Sequence, residues 1–123
     1  MSDSEIIERN KQIALMLGAI YSEVAEAWGF GNAKIEDKEI TIHGKPHKNL
    51  VWAERWEKEL KFHSDWNWLK ESLNFINSLN EEDFSDDEIH AYDDILDLTL
   101  FSDIIEVFER VSIFAKLYNE KKI

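Results

Sequence analysis

Cysteine is absent from this chain, proline occurs once, glycine four times, and long apolar runs are missing. Without cysteine there can be no disulfide, no thiolate nucleophile and no cysteine-held zinc or iron–sulfur centre. Packing alone must hold the fold, and a reducing, cytoplasmic setting is the expectation. The longest uncharged apolar stretch, Ile13 to Tyr21, falls far short of the ~20 residues that a membrane span needs. No basic-then-apolar leader opens the sequence, so neither membrane insertion nor export is expected. The lone proline and the lack of repeats or low-complexity linkers offer no boundary. Five Trp and seven Phe within 123 residues can fill one core, so a single domain over residues 1–123 is expected.

Positive charge is the remaining scarcity, and it is uneven. The formal charge is -12, yet between Glu71 and Glu109 there are thirteen acids and no Lys or Arg, while the rest of the chain is close to neutral. A continuous negative field repels nucleic acid and membrane surfaces and draws in a basic protein surface with a salt-dependent on-rate. Direct nucleic-acid binding through the acidic half is therefore disfavoured.

Periodicity predicts a fold of the α+β class, predominantly helical, with three or four helices packed against a small β-hairpin or short antiparallel sheet. From Ser2 to Trp28, Ile6, Ile13, Leu17, Ile20, Val24 and Trp28 recur at three- and four-residue steps, which favours one long amphipathic helix. Ser2 and Glu5 have capping-box spacing, with Ser4 as an alternative N-cap; at the other end the alternative is a stop at Gly18 with the Tyr21 region extended. Ile35, Ile40 and Ile42 alternate with charged residues and predict a hairpin turning through Asp37-Lys38 and closed by Gly44-Lys45-Pro46. Trp52 and Trp56, four apart with Arg55 and Lys58 nearby, fit a short helix that fills the core, the alternative being a platform that stacks bases. Ser64 is placed to cap a helix with Trp66, Leu69, Leu73 and Ile76 on one stripe, and Ser102 a last helix with Ile104, Val107, Phe108, Val111, Phe114, Ala115 and Tyr118. Between them Ile89, Tyr92, Ile95 and Leu96 suit a helix, whereas Leu98-Thr99-Leu100-Phe101 also fits a short strand; helix or strand stays open over residues 92–101.

A search for chemistry finds no catalytic set. The serines stand mainly at helix starts, no Gly-x-Ser-x-Gly elbow is present, and Gly29 and Gly31 lack the third glycine or lysine of a phosphate loop. His43 and His47 have helical metal-pair spacing, but Gly44 and Pro46 between them oppose a helix. The aspartates of residues 83–97 match no calcium-loop spacing. No enzyme activity, cofactor or metal is expected.

Three segments, Asn10-Lys11-Gln12-Ile13-Ala14-Leu15-Met16-Leu17-Gly18, then Phe62-His63-Ser64-Asp65-Trp66-Asn67-Trp68-Leu69, then Ile105-Glu106-Val107-Phe108 through Tyr118-Asn119-Glu120, resemble a family of small phage and prophage proteins of Bacteroidetes-type bacteria. The middle segment resembles an aromatic-His-Ser/Thr-x-Trp-Asp-Trp-Leu signature, with Trp66 and Trp68 as buried anchors, and the last a C-terminal helix ending Tyr-Asn-Glu. The chain departs from that pattern at Asn67, where aspartate is usual, and at Lys70-Glu71-Ser72, where an apolar run is usual. The family has no agreed activity, so the resemblance implies origin and assigns no site residues.

Composition, the absent chemistry and this resemblance together lead to one expectation: an acidic inhibitor that binds a host defence protein on a basic surface, an RNA-guided CRISPR nuclease being the leading example. Asp83, Phe84, Asp86, Asp87, Glu88, Tyr92, Asp93, Asp94 and Asp97 are the expected partner-binding residues. The alternative is a phage accessory or structural subunit that self-assembles or docks on another phage protein; a monomer or small homo-oligomer fits either. Sequestration of a small signalling nucleotide is a third reading and would use the more basic residues 34–61.

Overall fold

The structure, a computed structural model, describes residues 1–36, 39–47, 50–98 and 102–121. It has the predicted α+β character, with four helices and small antiparallel sheets. The residues group into two compact units: residues 1–17 with 61–123, and residues 18–60.

The helical unit holds α1 (Asp3–Met16), α2 (Trp66–Ser78), a 3-10 turn (Glu81–Asp83), α3 (Asp86–Leu96) and α4 (Ile104–Lys121). α4 is its spine. Val107, Phe108, Val111, Phe114 and Ala115 are buried along it, joined by Ile13, Ala14 and Met16 of α1, Leu69 and Ile76 of α2, and Ala91 and Ile95 of α3. These positions follow the three- and four-residue steps that lay an apolar stripe along each helix. The capping residues differ in part from those expected. Ser2 caps α1 as predicted, but Asp65 rather than Ser64 caps α2, accepting the Asn67 amide at 2.9 Å. At the start of α4 the Asp103 carboxylate, not Ser102, accepts from the Ile105 amide at 3.3 Å. In both cases the carboxylate stands one residue closer to the helix than the serine.

A buried polar node joins α1 to the segment that leads into α2. The Asn10 amide nitrogen donates to the Ile6 carbonyl and lies 2.9 Å from His63 Nδ1, while its oxygen accepts the Phe62 amide at 3.0 Å. Buried polar groups need such partners, and here one side chain satisfies backbone groups on two elements. The Phe62 ring sits beside it, fully buried and edge-on to Trp68 at 5.2 Å. Trp66, expected as a second buried anchor, is 51% exposed. It opens the helix on the outer face, while Leu69, Ser72 and Ile76 take the inner one.

The long first helix predicted to reach Trp28 stops at Met16, because Gly18 takes φ +83°, a left-handed conformation that glycine adopts without steric cost. The later members of that apparent stripe lie on a hairpin in the second unit. There β1 (Ile20–Ser22) pairs antiparallel with β2 (Ala27–Phe30), which also pairs with β7 (Arg55–Glu57). The alternation around Ile35 and Ile40 is strand-like as expected, but the pairing differs. β3 (Lys34–Glu36) pairs with β6 (Leu50–Trp52), and β4 (Ile40–Ile42) pairs with β5 (Lys45–His47) through His43-Gly44. Both turn residues have positive φ, as a tight two-residue hairpin turn demands, so Gly44 is the turn rather than a closing element. The predicted turn at Asp37-Lys38 lies outside the described residues. Trp52 and Trp56 belong to strands rather than a helix, and both are exposed rather than core. No described helix is long and apolar enough to cross a membrane.

Candidate partner-binding surface

α3 places the acidic residues. Its start is strongly specified: Ser85 and Glu88 form a reciprocal capping box, the Glu88 amide bonding the Ser85 hydroxyl and the Ser85 amide bonding Glu88 Oε1 at 3.0 Å. From there Asp86, Asp87, His90, Asp93, Asp94 and Asp97 fall at helical spacing on one face, and every one is exposed. Asp83 lies exposed in the 3-10 turn just upstream. Ile89 and Leu96, at the edge of this face, are exposed as well. Neither is among the residues expected to bind a partner, since each continues the apolar period, and His90, at the middle of the carboxylates, also lies outside that set.

Glu88 is a correction. It was expected to face a partner, but it is 0% exposed and belongs to the interior. The signal was present in the Ser-x-x-Glu spacing at 85–88, and in Glu88 falling three and four residues before buried Ala91 and half-buried Tyr92. Lys121, near the end of α4, reaches Glu88 Oε1 at 2.9 Å and also donates to the Asp83 carbonyl at 3.0 Å. Burial pushes the Glu88 pKa up. The hydrogen bonds from the Ser85 amide, the Lys121 ammonium and the Ser85 hydroxyl, with the attraction of the Lys121 charge, outweigh it and hold the carboxyl below its usual range. Oε2 is buried with no hydrogen-bond partner among the described residues.

The two expected aromatics serve the interior at least as much as the surface. Phe84 is half-buried and packs edge-on against Tyr92 at 5.7 Å and Phe114 at 5.3 Å. Tyr92 donates its hydroxyl to Asn77 Oδ1 at 3.2 Å. The far end of α3 is tied down by Arg110 of α4, which donates to the Asp94 carbonyl and pairs with Glu106 at 3.4 Å. Cations of α4 thus hold both ends of α3 from its inner side, leaving the outer carboxylates in place.

Of the thirteen acids between Glu71 and Glu109, twelve are exposed and only Glu88 is buried. The first-turn acids Asp86 and Asp87 complement the positive end of the helix dipole. Asp93, Asp94 and Asp97 oppose it, standing in the last turn or at the C-cap with no basic residue of α3 beside them.

Known proteins offer no match. No family model, curated protein or solved structure matches this chain. Among the described residues no group of three or more His, Asp or Glu is arranged to hold a metal ion. The carboxylates spread along a convex helix face, an arrangement suited to meeting an extended basic surface rather than to enclosing a small ligand.

Proposed function

We propose that this chain is a non-catalytic binding protein that lays the outer face of α3 on a basic, nucleic-acid-binding groove of a host defence protein and blocks it. An RNA-guided nuclease is the leading partner class, because such enzymes hold nucleic acid in positively charged channels. A phage or prophage origin, implied by the sequence resemblance, fits that role. Asp83, Asp86, Asp87, Asp93, Asp94 and Asp97 supply the charge, with Ile89 and Leu96 as apolar contacts beside them.

One observation carries this reading: Asp93, Asp94 and Asp97 stand exposed in the last turn and at the C-cap of α3, where their charge opposes the helix dipole. Such an arrangement costs about 0.3–1 kcal/mol per charge at low ionic strength, and a cationic partner removes that cost on binding. The direct test replaces Asp86, Asp87, Asp93 and Asp94 with lysine and measures capture of host proteins, with folding checked by circular dichroism. Loss of the captured nuclease is expected, together with salt-sensitive capture by the wild type. Unchanged capture by a folded variant would remove α3 from the interface.

A further inference from the structure

The helical unit carries a second surface feature, which shares only Asp94 with the proposed binding face of α3. Along the exposed side of α4 two hollows meet at one residue. One, of about 490 Å³, lies between α1 and α4 and is lined by Glu5, Glu8, Arg9, Gln12, Ser112, Ile113, Lys116, Leu117 and Glu120. The other, of about 350 Å³, is lined by Asp94, Glu106, Glu109, Arg110 and Ile113. Ile113 belongs to both and is 44% exposed.

We infer that these hollows form one docking trough for a basic, apolar-anchored segment of a protein partner, with Ile113 and Leu117 as the seat of the anchor. The inference rests on the proposed reading of the chain as a binder of basic surfaces, and it names where the partner's side chains go.

Charge complementarity chooses the occupant. The lining holds six carboxylates (Glu5, Glu8, Asp94, Glu106, Glu109 and Glu120) against three cations. Two of those cations already have internal work: Arg9 donates to the Ser112 hydroxyl at 2.7 Å, and Arg110 to the Asp94 carbonyl and Glu106. The acids flank the apolar seat on both sides, Glu106 and Glu109 one to two turns before Ile113 and Glu120 two turns after it, with Glu5 and Glu8 across on α1. A segment with Leu or Ile at its centre and Lys or Arg toward both ends matches that order. The seat is also prepared. Asn119 donates to the Gln12 carbonyl and side-chain oxygen, both at 2.9 Å, and Arg9 bridges to Ser112, so α1 and α4 are fixed at two levels along the trough. From Glu106 to Glu120 the helix rises ~21 Å, enough for about 14 helical residues of a partner.

The test uses the full chain, labelled with nitrogen-15, and two synthetic 14-residue helical peptides as probes. Both carry the same lysines; one has leucines along its central face and the other has alanines there. Binding of the leucine peptide should shift the amide signals of Gln12, Ile113, Lys116 and Leu117. Ile113→Ser should weaken it about tenfold, while Glu82→Gln, at an exposed acid outside both surfaces, should change it less than about twofold. Equal binding of the two peptides, with shifts confined to residues 86–97, would overturn the trough and leave the α3 surface standing. No binding of either peptide at low salt would overturn the trough and the reading of the chain as a binder of basic surfaces together.

Discussion

Replacing Lys121 with methionine tests whether the end of α4 holds the acidic helix in place. The substitution keeps most of the side-chain volume and removes the ammonium that lies 2.9 Å from Glu88 Oε1. The carboxylate is then left with the Ser85 cap, and Oε2 already has no partner among the described residues. Breaking a fully buried pair costs about 3–5 kcal/mol, whereas an exposed pair contributes about 1 kcal/mol or less. Glu88 is 0% exposed but Lys121 is 42% exposed, and water can take up part of the lost interaction. A cost of about 1–3 kcal/mol is therefore expected, which at this chain length corresponds to a fall in Tm of about 4–12 °C. Urea unfolding at pH 7 measures it, and the Glu88→Gln background decides its cause. Glutamine keeps the capping box without the buried charge, so Lys121→Met should cost at least about 1 kcal/mol less there. The pH dependence has a definite sign. Because the Glu88 carboxyl is held below its usual range, the folded state binds fewer protons near pH 4 than the unfolded chain. Its contribution is complete above the ordinary carboxylate pKa of about 4.3 and is lost as pH falls through the lower folded value. The penalty of Lys121→Met should shrink over the same window. An equal penalty in both backgrounds, or one that grows below pH 4, would refute the buried-charge argument.

Asp97→Asn should raise stability by about 0.3–1 kcal/mol at low salt, seen as a higher Tm that converges with the wild type in 1 M salt, because it removes a negative charge from the negative end of α3. Asn10→Ala should cost about 2–3 kcal/mol in denaturant unfolding monitored in the helical unit, since the Phe62 amide and His63 Nδ1 both lose a partner beside the core. Gly29→Ala should destabilise the strand unit by about 1–3 kcal/mol, read from hydrogen exchange of β2 and β7, because the added Cβ would lie 2.6 Å from Ala53 Cβ and 3.3 Å from the Trp56 ring.

The helices after residue 60 were legible because their periodic stripes coincide with what is buried: Leu69 and Ile76 in α2, Val107, Phe108, Val111, Phe114 and Ala115 in α4. The end of α1 was legible only as the less favoured stop at Gly18 with Tyr21 extended, since Ile20, Val24 and Trp28 continue a helical period by coincidence while the backbone has already turned. A glycine inside a periodic run reads as a small cost on helix formation, yet the same residue is also the cheapest way to end a helix. The strand unit was hidden for another reason. β2 pairs with β7 and β3 with β6, and these partners lie 14 or more residues apart in sequence, where a local window sees no pattern. The fixed spacing of Trp52 and Trp56 even mimicked a helix turn. At the candidate surface, the composition located the acids, and the helical period of α3 would have sorted Glu88 inward from Asp86, Asp87, Asp93 and Asp94. Placing Ile89 and Leu96 outside needed the core to be known.

The two-unit division of the chain has a consequence for how the protein can change. Residues 18–60 interrupt the helical unit between α1 and the segment entering α2, and the Asn10 node ties the two sides of that interruption together. For the helical unit the whole strand unit amounts to a loop of 43 residues, and closing a loop costs only about 0.6 kcal/mol more for each doubling of its length. The junctions after Leu17 and before Lys61 therefore form a natural exchange site. Strand units of different length or surface can be grafted there while the Asn10 clasp of the helical unit, and the acidic helix that packs on the same α4 spine, are kept.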